Sequence, residues 1–410
     1  MADNNFFVSI DIGSSKIAIL LAEEVGSRLE VFGHALGESA GVKKGVIADV
    51  ELAAGAIKKV AEVAYLSCST HFHNVSVNIS DPNLSVISRA GQISVAADKI
   101  TQQDVDEAIA AACAMPISAN QQVISAVANS FTLDRDPLTH LGVVVEHPIG
   151  QKATTLEVIM HIVTVSNQAV DMIEQSIRQS DLGLSNIVLN SMASSEAYIT
   201  QDEKDSGVCL VDIGAGVMNI SVFTNGGIAH SAVVQMGGNS VTEAIMESFD
   251  TSFAEAERLK LEYGKTQKSI NNDKLIEFSQ LDDVGNSCHY LSHQSLLEVI
   301  ENAYLTLFSR LKDDLKKQKL YRALHSGFVI TGGGSKLEGV AALLLSFVKM
   351  RVKKGSVNTG RISAERSLLE PEYGLALGLL LFDPNDIDLQ HSQSGFERNF
   401  LGKIKQHFKF

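Results

Sequence analysis

The chain has 410 residues, a length that predicts at least two domains, because single hydrophobic cores stop growing at about 250–300 residues. Hydrophobic residues make up 45% and charged residues 20% of the sequence, which is typical of soluble globular proteins and excludes collagen-like, coiled-coil and disordered classes. Lys and Arg number 34 against 48 Asp and Glu, which gives a formal net charge of −14. Such an acidic chain is not expected to bind nucleic acid, because that affinity depends on basic side chains that neutralise phosphates.

The cysteines and the apolar runs exclude several further classes. The four cysteines form no CxxC pair, and the histidines near two of them supply no fourth ligand at zinc spacing, so neither a disulfide framework nor a zinc site is predicted. No basic region precedes the first apolar stretch, and no apolar run reaches the roughly 18 residues of a membrane-spanning helix. A reducing cytoplasm is therefore the expected compartment. The cysteines are Cys68, Cys113, Cys209 and Cys288.

A strand–turn–strand unit opens the chain and occurs again later. In the first copy a strand over 6–13 ends in Asp-Ile-Gly and returns through a tight turn into an apolar strand over 17–22. In the second copy a strand over 208–214 ends in the same three residues and returns into a strand over 217–224. A repeated unit some two hundred residues apart predicts a duplicated architecture with two related halves. The turn residues are Gly13, Ser14, Ser15 and Lys16 in the first copy and Gly214, Ala215 and Gly216 in the second.

Helices and strands alternate between the two copies. An apolar stripe predicts a helix over 51–66. A further helix over 105–115 is capped by Thr101 and Asp104, which are spaced as a capping box. Together with strands predicted at 84–87, 122–131 and 155–165, that helix gives residues 82–163 a βα pattern of their own. This stretch is predicted to be an inserted subdomain.

The chain after the second copy contains a third glycine turn. Helices are predicted near 239–249 and 253–263, followed by a polar segment over 264–290 that reads as a loop, and a long helix over 294–319. An apolar strand at 328–330 then leads into a turn rich in glycine. Alternating helices and strands predict an α/β protein with helices on both sides of mixed sheets. The third turn contains Gly332, Gly333, Gly334 and Ser335.

The three turns have the chemistry of a phosphate site. Glycine lets backbone N–H groups approach a phosphate, and successive N–H groups form an anion-binding concavity. Asp11 and Asp212 each precede a turn, and two such carboxylates suit Mg²⁺, which takes only one or two protein ligands and keeps most of its waters. Each turn by itself is equally compatible with an ordinary hairpin, and Lys16 with a solvated strand residue. The duplication is what favours a site; neither a P-loop nor a complete dinucleotide fingerprint is present.

The C-terminal residues 395–410 differ in charge from the rest of the chain. They carry four basic residues against one acidic residue, and their apolar side chains fall within about half of a helical wheel. This pattern predicts an amphipathic helix lying on an anionic membrane surface, after a polar linker at 383–394. The alternative is a terminal helix that docks on the protein's own body. The predicted membrane-binding residues are Phe396, Arg398, Phe400, Leu401, Lys403, Ile404, Lys405, Phe408 and Lys409.

These motifs together resemble the actin, Hsp70 and sugar-kinase superfamily, and within it the FtsA family of bacterial cell-division proteins. The resemblance covers nearly the whole chain. Besides the three turns, it is carried by residues 41–47, 208–214, 238–242, 256–260, 370–373 and the amphipathic C-terminus. It implies an actin-like two-lobed ATPase fold with duplicated domains, in which an FtsA-type subdomain is inserted.

The resemblance implies ATP and Mg²⁺ between the two lobes. Each lobe would contribute one turn and one aspartate to the phosphates and the metal, and the third turn would lie against adenosine. Glu257 and Lys260 match a Glu-x-x-Lys pair that touches ribose and base, although a solvated i,i+3 ion pair would have the same spacing. Asn190 stands about where relatives carry a catalytic glutamate. Because an amide cannot accept a proton as a carboxylate does, at most slow ATP hydrolysis is expected.

The resemblance also implies a place in the cell. Such a protein would form actin-like filaments, bind the C-terminal tail of FtsZ, recruit other division proteins and tether the division ring peripherally to the cytoplasmic face of the inner membrane. The FtsZ-binding site would lie in the second lobe's outer subdomain, at about 240–305. The alternatives are a small-molecule kinase and a pilus-assembly ATPase of the same superfamily; neither is expected to carry the amphipathic C-terminus.

The implied domain boundaries follow the motifs. The first lobe would comprise residues 1–81 and 164–200, with the inserted subdomain at 82–163 between them. The second lobe would comprise residues 201–382. The linker at 383–394 and the membrane-targeting helix at 395–410 would complete the chain.

Overall fold

A computed structural model describes residues 6–114, 116–136, 138–139, 141–145, 147–266, 273–282 and 285–382. The predicted linker and the predicted membrane-binding helix lie outside the described residues. Within the described part, no helix combines the length and the apolar character that crossing a membrane requires.

The first lobe is built on a six-stranded mixed sheet in the order β11-β6-β1-β2-β3-β19. β1 pairs antiparallel with β2, and β1 and β6 run parallel. Helix α1 packs over β3, where Gly37 is required: a Cβ there would lie 2.4 Å from a methyl carbon of Val60. The elements of this lobe that precede the second are β1 (Phe6–Ile12), β2 (Lys16–Val25), β3 (Arg28–Glu38), β4 (Val42–Lys43), β5 (Val46–Ile47), α1 (Val50–Cys68), β6 (Asn74–Ile79), α3 (Asn167–Gln179), β11 (Gly183–Leu189) and α4 (Asn190–Tyr198). The next helix, α5 (Gln201–Ser206), packs against the second lobe.

The inserted subdomain forms a separate four-stranded antiparallel sheet in the order β7-β10-β8-β9. One helix covers this sheet and encloses a small core that includes Val105, Ile109, Phe131 and Met160. The predicted capping box is confirmed, since the Thr101 side chain and that of Asp104 each bond the other's backbone N–H. The elements are β7 (Ser85–Ser94), α2 (Gln102–Cys113), β8 (Gln121–Leu133), β9 (Val143–Val145) and β10 (Thr155–Ser166).

The second lobe repeats the design of the first with a five-stranded sheet in the order β14-β13-β12-β17-β18. β12 pairs antiparallel with β13 and parallel with β17, as β1 does with β2 and β6. The 25-residue helix α8 buries its apolar stripe in the core of this lobe. The elements are β12 (Val208–Ile213), β13 (Met218–Thr224), β14 (Gly227–Val234), α6 (Gly238–Phe249), α7 (Phe253–Tyr263), β15 (Leu275–Asp282), β16 (Gly285–Ser292), α8 (His293–Lys317), β17 (Gly327–Thr331), α9 (Val340–Val348) and β18 (Val352–Lys354).

The polar segment at 264–290 is not the loop that its composition predicts. β15 and β16 pair antiparallel over eight residues each, so most of the segment is a hairpin. Three side chains of the hairpin, Ile276, Phe278 and Leu291, are buried against the helices of the second lobe. These few apolar residues, spaced along otherwise polar strands, are too sparse a periodic signal to stand out in the sequence.

The end of the chain returns to the first lobe, which corrects the predicted assignment of all residues 201–382 to the second. β19 (Ile362–Ser363) pairs parallel with β3 at the edge of the first sheet. Helix α10 (Gly374–Leu381) then packs against α4, where a Cβ on Gly378 would lie 1.9 Å from the Ala193 carbonyl oxygen. Residues 362–381 therefore belong to the first lobe, and they carry Pro371 and Glu372 to the space between the lobes.

Candidate functional site

A cleft of about 690 Å³ lies between the two lobes. Its volume falls within the range of ligand-binding pockets, about 300–1,000 Å³. The turns after β1, β12 and β17 all open into it. The predicted site residues that line it are Asp11, Gly13, Ser14, Ser15, Lys16, Asp212, Gly214, Ala215, Gly216, Glu257, Lys260, Gly332, Gly333 and Gly334.

The first two turns have the same backbone geometry. The Gly13 N–H donates to the Lys16 carbonyl oxygen at 2.9 Å, and the Gly214 N–H donates to the Val217 carbonyl oxygen at 2.9 Å. The turns face each other so closely that a Cβ on Gly216 would lie 2.5 Å from the Ser14 hydroxyl oxygen. The duplicated units of the sequence are therefore duplicated in structure and meet across the cleft.

The two aspartates before these turns lie in the cleft, where Asp11 is buried and Asp212 is half-buried. Burial raises the pKa of Asp11, and burial together with the charge of Asp11 raises the pKa of Asp212 to about 6. The Lys16 ammonium lies 3.9 Å from the Asp11 carboxylate. Its Nζ is buried and makes no hydrogen bond to any described residue. The site thus holds two carboxylates that repel each other and a cation without a hydrogen-bonded partner, a combination that a bound anion and metal would satisfy.

The third turn is held against the second. Gly332 has a φ of +81°, and a Cβ there would lie 2.3 Å from a carboxylate oxygen of Asp212. Tyr304 of α8 fixes the turn from behind, because its buried hydroxyl donates to the Gly334 carbonyl oxygen at 2.7 Å. Ser335 differs from the prediction: its hydroxyl is buried, donates to the Gly332 carbonyl oxygen at 2.8 Å, and does not line the cleft.

Glu257 and Lys260 form an ion pair in which the ammonium is buried and the carboxylate is partly exposed. The Lys260 ammonium is 2.7 Å from the Glu257 carboxylate and also donates to the Gly238 carbonyl oxygen and the Thr242 hydroxyl. Only 7% of the Lys260 surface is exposed, and burial lowers the pKa of its ammonium. Both residues line the cleft, and the burial of the Lys260 ammonium distinguishes this i,i+3 pair from the fully solvated pair that the spacing also allowed.

Comparisons with known proteins agree with this arrangement. The family model of the cell division protein FtsA matches residues 209–378, and the model of the SHS2 domain inserted in FtsA matches residues 82–164. The cell division protein FtsA of Pseudomonas aeruginosa is 31% identical over 96% of this chain and 92% of its own length.

This chain belongs to the FtsA family. FtsA of Escherichia coli K12 is 27% identical over 92% of the chain and 90% of its own length. The predicted inserted subdomain is therefore the family's SHS2 domain.

Solved structures show the actin-like fold. The PilM–PilN type IV pilus biogenesis complex matches with a TM-score of 0.62 at 19% identity, covering 92% of this chain and 97% of the matched chain. MreB5 of Spiroplasma citri, solved bound to ADP, matches with a TM-score of 0.58 at 12% identity, covering 95% and 99%. At these identities the likeness concerns the fold alone, and the predicted actin-like two-lobed fold with an FtsA-type insertion is confirmed.

Several cleft residues of this FtsA family member were missed by the sequence analysis. Asn78, at the end of β6, accepts a hydrogen bond from the Ile12 N–H at 2.7 Å and donates to the Asn190 side chain at 3.2 Å. Lys336 and Glu372 line the cleft from opposite lobes. Asn78 could have been found from the sequence, because it is a polar residue at the end of a buried strand. Nothing near Lys336 or Glu372 in the sequence indicates that the two side chains meet. The others are Ser80, Asn219, Gly238, Asn239, Tyr304 and Glu338.

The donor set of the FtsA cleft fits Mg²⁺. Among the described residues, no group of three or more His, Cys, Asp or Glu side chains is placed to hold a metal ion. A metal site there would therefore need ligands from a bound molecule or from water. Mg²⁺ instead takes one or two carboxylates together with phosphate and water oxygens. Asp11 and Asp212 provide two carboxylates whose mutual repulsion a divalent cation would relieve.

Proposed function

We propose that this protein is an ATP-binding, actin-like scaffold of cell division. It polymerises, binds the C-terminal tail of FtsZ, tethers the division ring to the cytoplasmic face of the inner membrane and recruits other division proteins. The observation that carries the proposal is the convergence of three glycine turns from both lobes, together with Asp11 and Asp212, on one cleft. Membership of the FtsA family favours this function over a small-molecule kinase or a pilus-assembly ATPase.

Different residues of the cleft would bind the phosphates and the adenosine of ATP. Backbone N–H groups of the two opposed turns, with the hydroxyls of Ser14 and Ser15 and the ammonium of Lys16, would bind the phosphates. Asp11 and Asp212 would hold Mg²⁺, which neutralises phosphate charge when bound. The turn of Gly332, Gly333 and Gly334 would lie against adenosine, and Glu257 and Lys260 would meet the ribose. Ser335 is withdrawn from this set because its hydroxyl bonds inward.

Nucleotide would act as a latch between the lobes rather than as the substrate of rapid chemistry. The phosphates would contact turns that belong to different lobes, so binding favours the closed arrangement by differential contact. Asn190 lines the cleft, where its amide oxygen accepts a hydrogen bond from Asn78. An amide there cannot take a proton from water, so hydrolysis would be slow and the latch long-lived.

Calorimetric titration with ATP tests the cleft. We expect binding that needs Mg²⁺, and that is weakened at least tenfold in Lys16→Met and in Asp11→Asn. Lys59→Met, an exposed lysine on α1, serves as the control and leaves the affinity unchanged. Equal affinity in all four proteins, or no binding of ATP at all, would overturn the nucleotide part of the proposal.

Membrane and FtsZ binding would use parts of the chain outside the cleft. The amphipathic segment at 395–410 would lie on anionic lipid, and the outer subdomain at about 240–305 would hold the FtsZ tail. Flotation with anionic vesicles tests the membrane placement by comparing the full chain with Phe400→Asp. We expect the variant to stay unbound. A charge-reversal scan of the outer subdomain against an FtsZ C-terminal peptide tests the second, and unchanged binding throughout would remove that placement.

A further inference from the structure

The end of the second lobe opposite the cleft carries a concentrated positive charge. Residues 316–322 contain four basic and no acidic side chains, and residues 349–354 contain another four and none, although the chain as a whole has a net charge of −14. We call these two stretches together the basic face. Seven of its eight basic side chains are exposed, and none of those seven forms an ion pair with another described residue. They are Lys316, Lys317, Lys319, Arg322, Lys349, Arg351 and Lys354.

The two stretches are brought together by the fold. The first begins with the last two residues of α8 and the second follows α9. The Tyr321 hydroxyl joins them by donating to the Val348 carbonyl oxygen at 2.5 Å. The Phe328 N–H donates to the Arg351 carbonyl oxygen at 2.8 Å, which places the second stretch at the start of β17. β12, β17 and β18 run parallel, and the cleft lies at their carboxyl ends. Lys349, Arg351 and the residues after α8 therefore lie at the end of the sheet away from the cleft, whereas Lys354 pairs with Ile330 nearer its carboxyl end.

A series of ion pairs connects the basic face to the end of α10, the last helix before the C-terminal segment. Lys353 of β18 lies 2.5 Å from Glu203 of α5, and the next residue, Lys204, lies 2.7 Å from Glu196 of α4. The other oxygen of Glu196 accepts a hydrogen bond from Arg361 at 2.6 Å. Arg361 also donates to the Leu381 carbonyl oxygen at 2.9 Å, at the end of α10.

We propose that the basic face is a second membrane contact, which lies on the headgroups of anionic lipids while the C-terminal segment anchors beside it. The inference rests on the proposed membrane tethering. Helix α10 ends at Leu381, whose carbonyl oxygen contacts Arg361 of the Glu196–Arg361 pair, and the basic sequence 395–410 follows this helix along the chain. An anionic surface attracts unpaired lysines and arginines that it can approach, and the attraction adds up over the residues within a Debye length.

This second contact would give the protein an orientation on the membrane. A membrane contact made by residues 395–410 alone does not determine which face of the body meets the lipid. Two contacts on one side fix which face of the body points away from the lipid, and the second contact binds at the effective concentration that the first creates. The nucleotide cleft and the inserted subdomain would then remain free for other partners.

The test compares two variants of equal charge change in the full chain. The face variant carries Lys316→Gln, Lys319→Gln, Arg351→Gln and Lys354→Gln. The control variant carries Lys59→Gln, Lys99→Gln, Arg178→Gln and Lys274→Gln, which are likewise exposed but lie elsewhere. Binding to phosphatidylcholine vesicles containing about a quarter phosphatidylglycerol, at about 0.1 M salt, is expected to weaken at least tenfold in the face variant and less than about threefold in the control.

Further arms separate the possible failures. A Phe400→Asp variant reports on the C-terminal anchor alone. If it loses binding while the face variant and the control bind equally, the proposed tethering stands and the basic face falls. If it binds normally while the face variant is weakened, the basic face stands and the C-terminal anchor falls. Unchanged vesicle binding with reduced sedimentation of polymers in the face variant would instead assign the face to a second copy of the chain and overturn the proposal.

Discussion

Ser14 and Gly216 belong to different lobes and leave no room between them for one methyl group. A Cβ on Gly216 would lie 2.5 Å from the Ser14 hydroxyl oxygen and 3.1 Å from the Cα of Lys44. The Ser14 hydroxyl is held there because it accepts a hydrogen bond from the Gly45 N–H at 2.9 Å. The two turns can therefore approach this closely only because residue 216 is a glycine, and their approach limits the width of the cleft.

Replacing Gly216 by alanine is expected to open the cleft. The added methyl group must displace either the Ser14 side chain or one of the lobes, and overpacking of this kind costs about 1–3 kcal/mol. Because the proposed phosphate contacts come from both turns, ATP affinity in a calorimetric titration should fall roughly ten- to a hundredfold. Gly55→Ala is the control, since a Cβ at that exposed position in α1 meets nothing within 4 Å. An unaltered affinity in Gly216→Ala would show that the lobes do not close on the nucleotide.

The nucleotide-free protein is expected to gain stability as the pH falls through about 6. Burial and the charge of Asp11 raise the pKa of Asp212 to about 6, above the ordinary value of 3.8. The folded state therefore binds a proton more readily than the unfolded state, so the contribution is present at low pH and is lost as the pH rises through 6. Between roughly pH 7.5 and pH 5 it should reach about 1–2 kcal/mol.

The contribution of Asp212 is isolated by comparing the wild type with Asp212→Asn. Chemical denaturation at both pH values gives the change in the free energy of unfolding for each protein. The gain on acidification should be present in the wild type and absent from the variant. An equal gain in both proteins would show that other titrating groups cause it and that Asp11 and Asp212 do not destabilise the folded state by repulsion.

Lys336 and Glu372 form an ion pair across the mouth of the cleft, and breaking it should speed the release of nucleotide. The Lys336 ammonium lies 2.6 Å from the Glu372 carboxylate, and hydrogen bonding to Glu372 raises the pKa of Lys336. Because both side chains are partly exposed, the pair contributes only about 0.5–1 kcal/mol. Dissociation of a fluorescent ATP analogue should therefore quicken about two- to fivefold in Lys336→Met and in Glu372→Gln.

The effect of this pair should be electrostatic and local. Raising the salt concentration should speed dissociation from the wild type and leave the variants nearly unchanged, because screening weakens the partly exposed pair. Lys152→Met breaks an exposed pair of 2.9 Å with Asp98 in the inserted subdomain and is the matched control. If it quickens dissociation as much as Lys336→Met, the pair across the cleft has no specific role.

Removing the carboxylate of Glu257 should destabilise the second lobe. Lys260 would remain buried without its countercharge; because the Glu257 side chain is 33% exposed, the cost should be about 2 kcal/mol, below that of breaking a fully buried pair. In Glu257→Leu the midpoint of thermal unfolding should fall by at least about 5 °C, while Glu257→Leu with Lys260→Met should recover part of the loss. The control Glu262→Leu removes the exposed partner of Arg258 and should shift the midpoint by less than about 2 °C. Equal shifts in the two single variants would return Glu257 to the surface role that its spacing also allowed.

The features that are local along the chain follow from the sequence alone. The repeated Asp-Ile-Gly units specified two strand–turn–strand hairpins, because apolar β-branched runs form strands and glycine permits the tight return between them. The capping box at Thr101 and the apolar stripe of α1 likewise depend on residues a few positions apart. The chemistry proposed for the cleft follows from the same local turns.

Only the tertiary structure decided which distant segments meet. Nothing near residue 362 indicates that β19 adds to the edge of β3, more than three hundred residues earlier, or that Glu372 reaches Lys336 of the other lobe. The burial of Lys260 and the inward turn of Ser335 also depend on packing that their neighbours in sequence do not reveal. Long-range pairing and burial are decided by the whole chain, since each depends on surfaces that other segments contribute, whereas turns and caps are decided within a few residues.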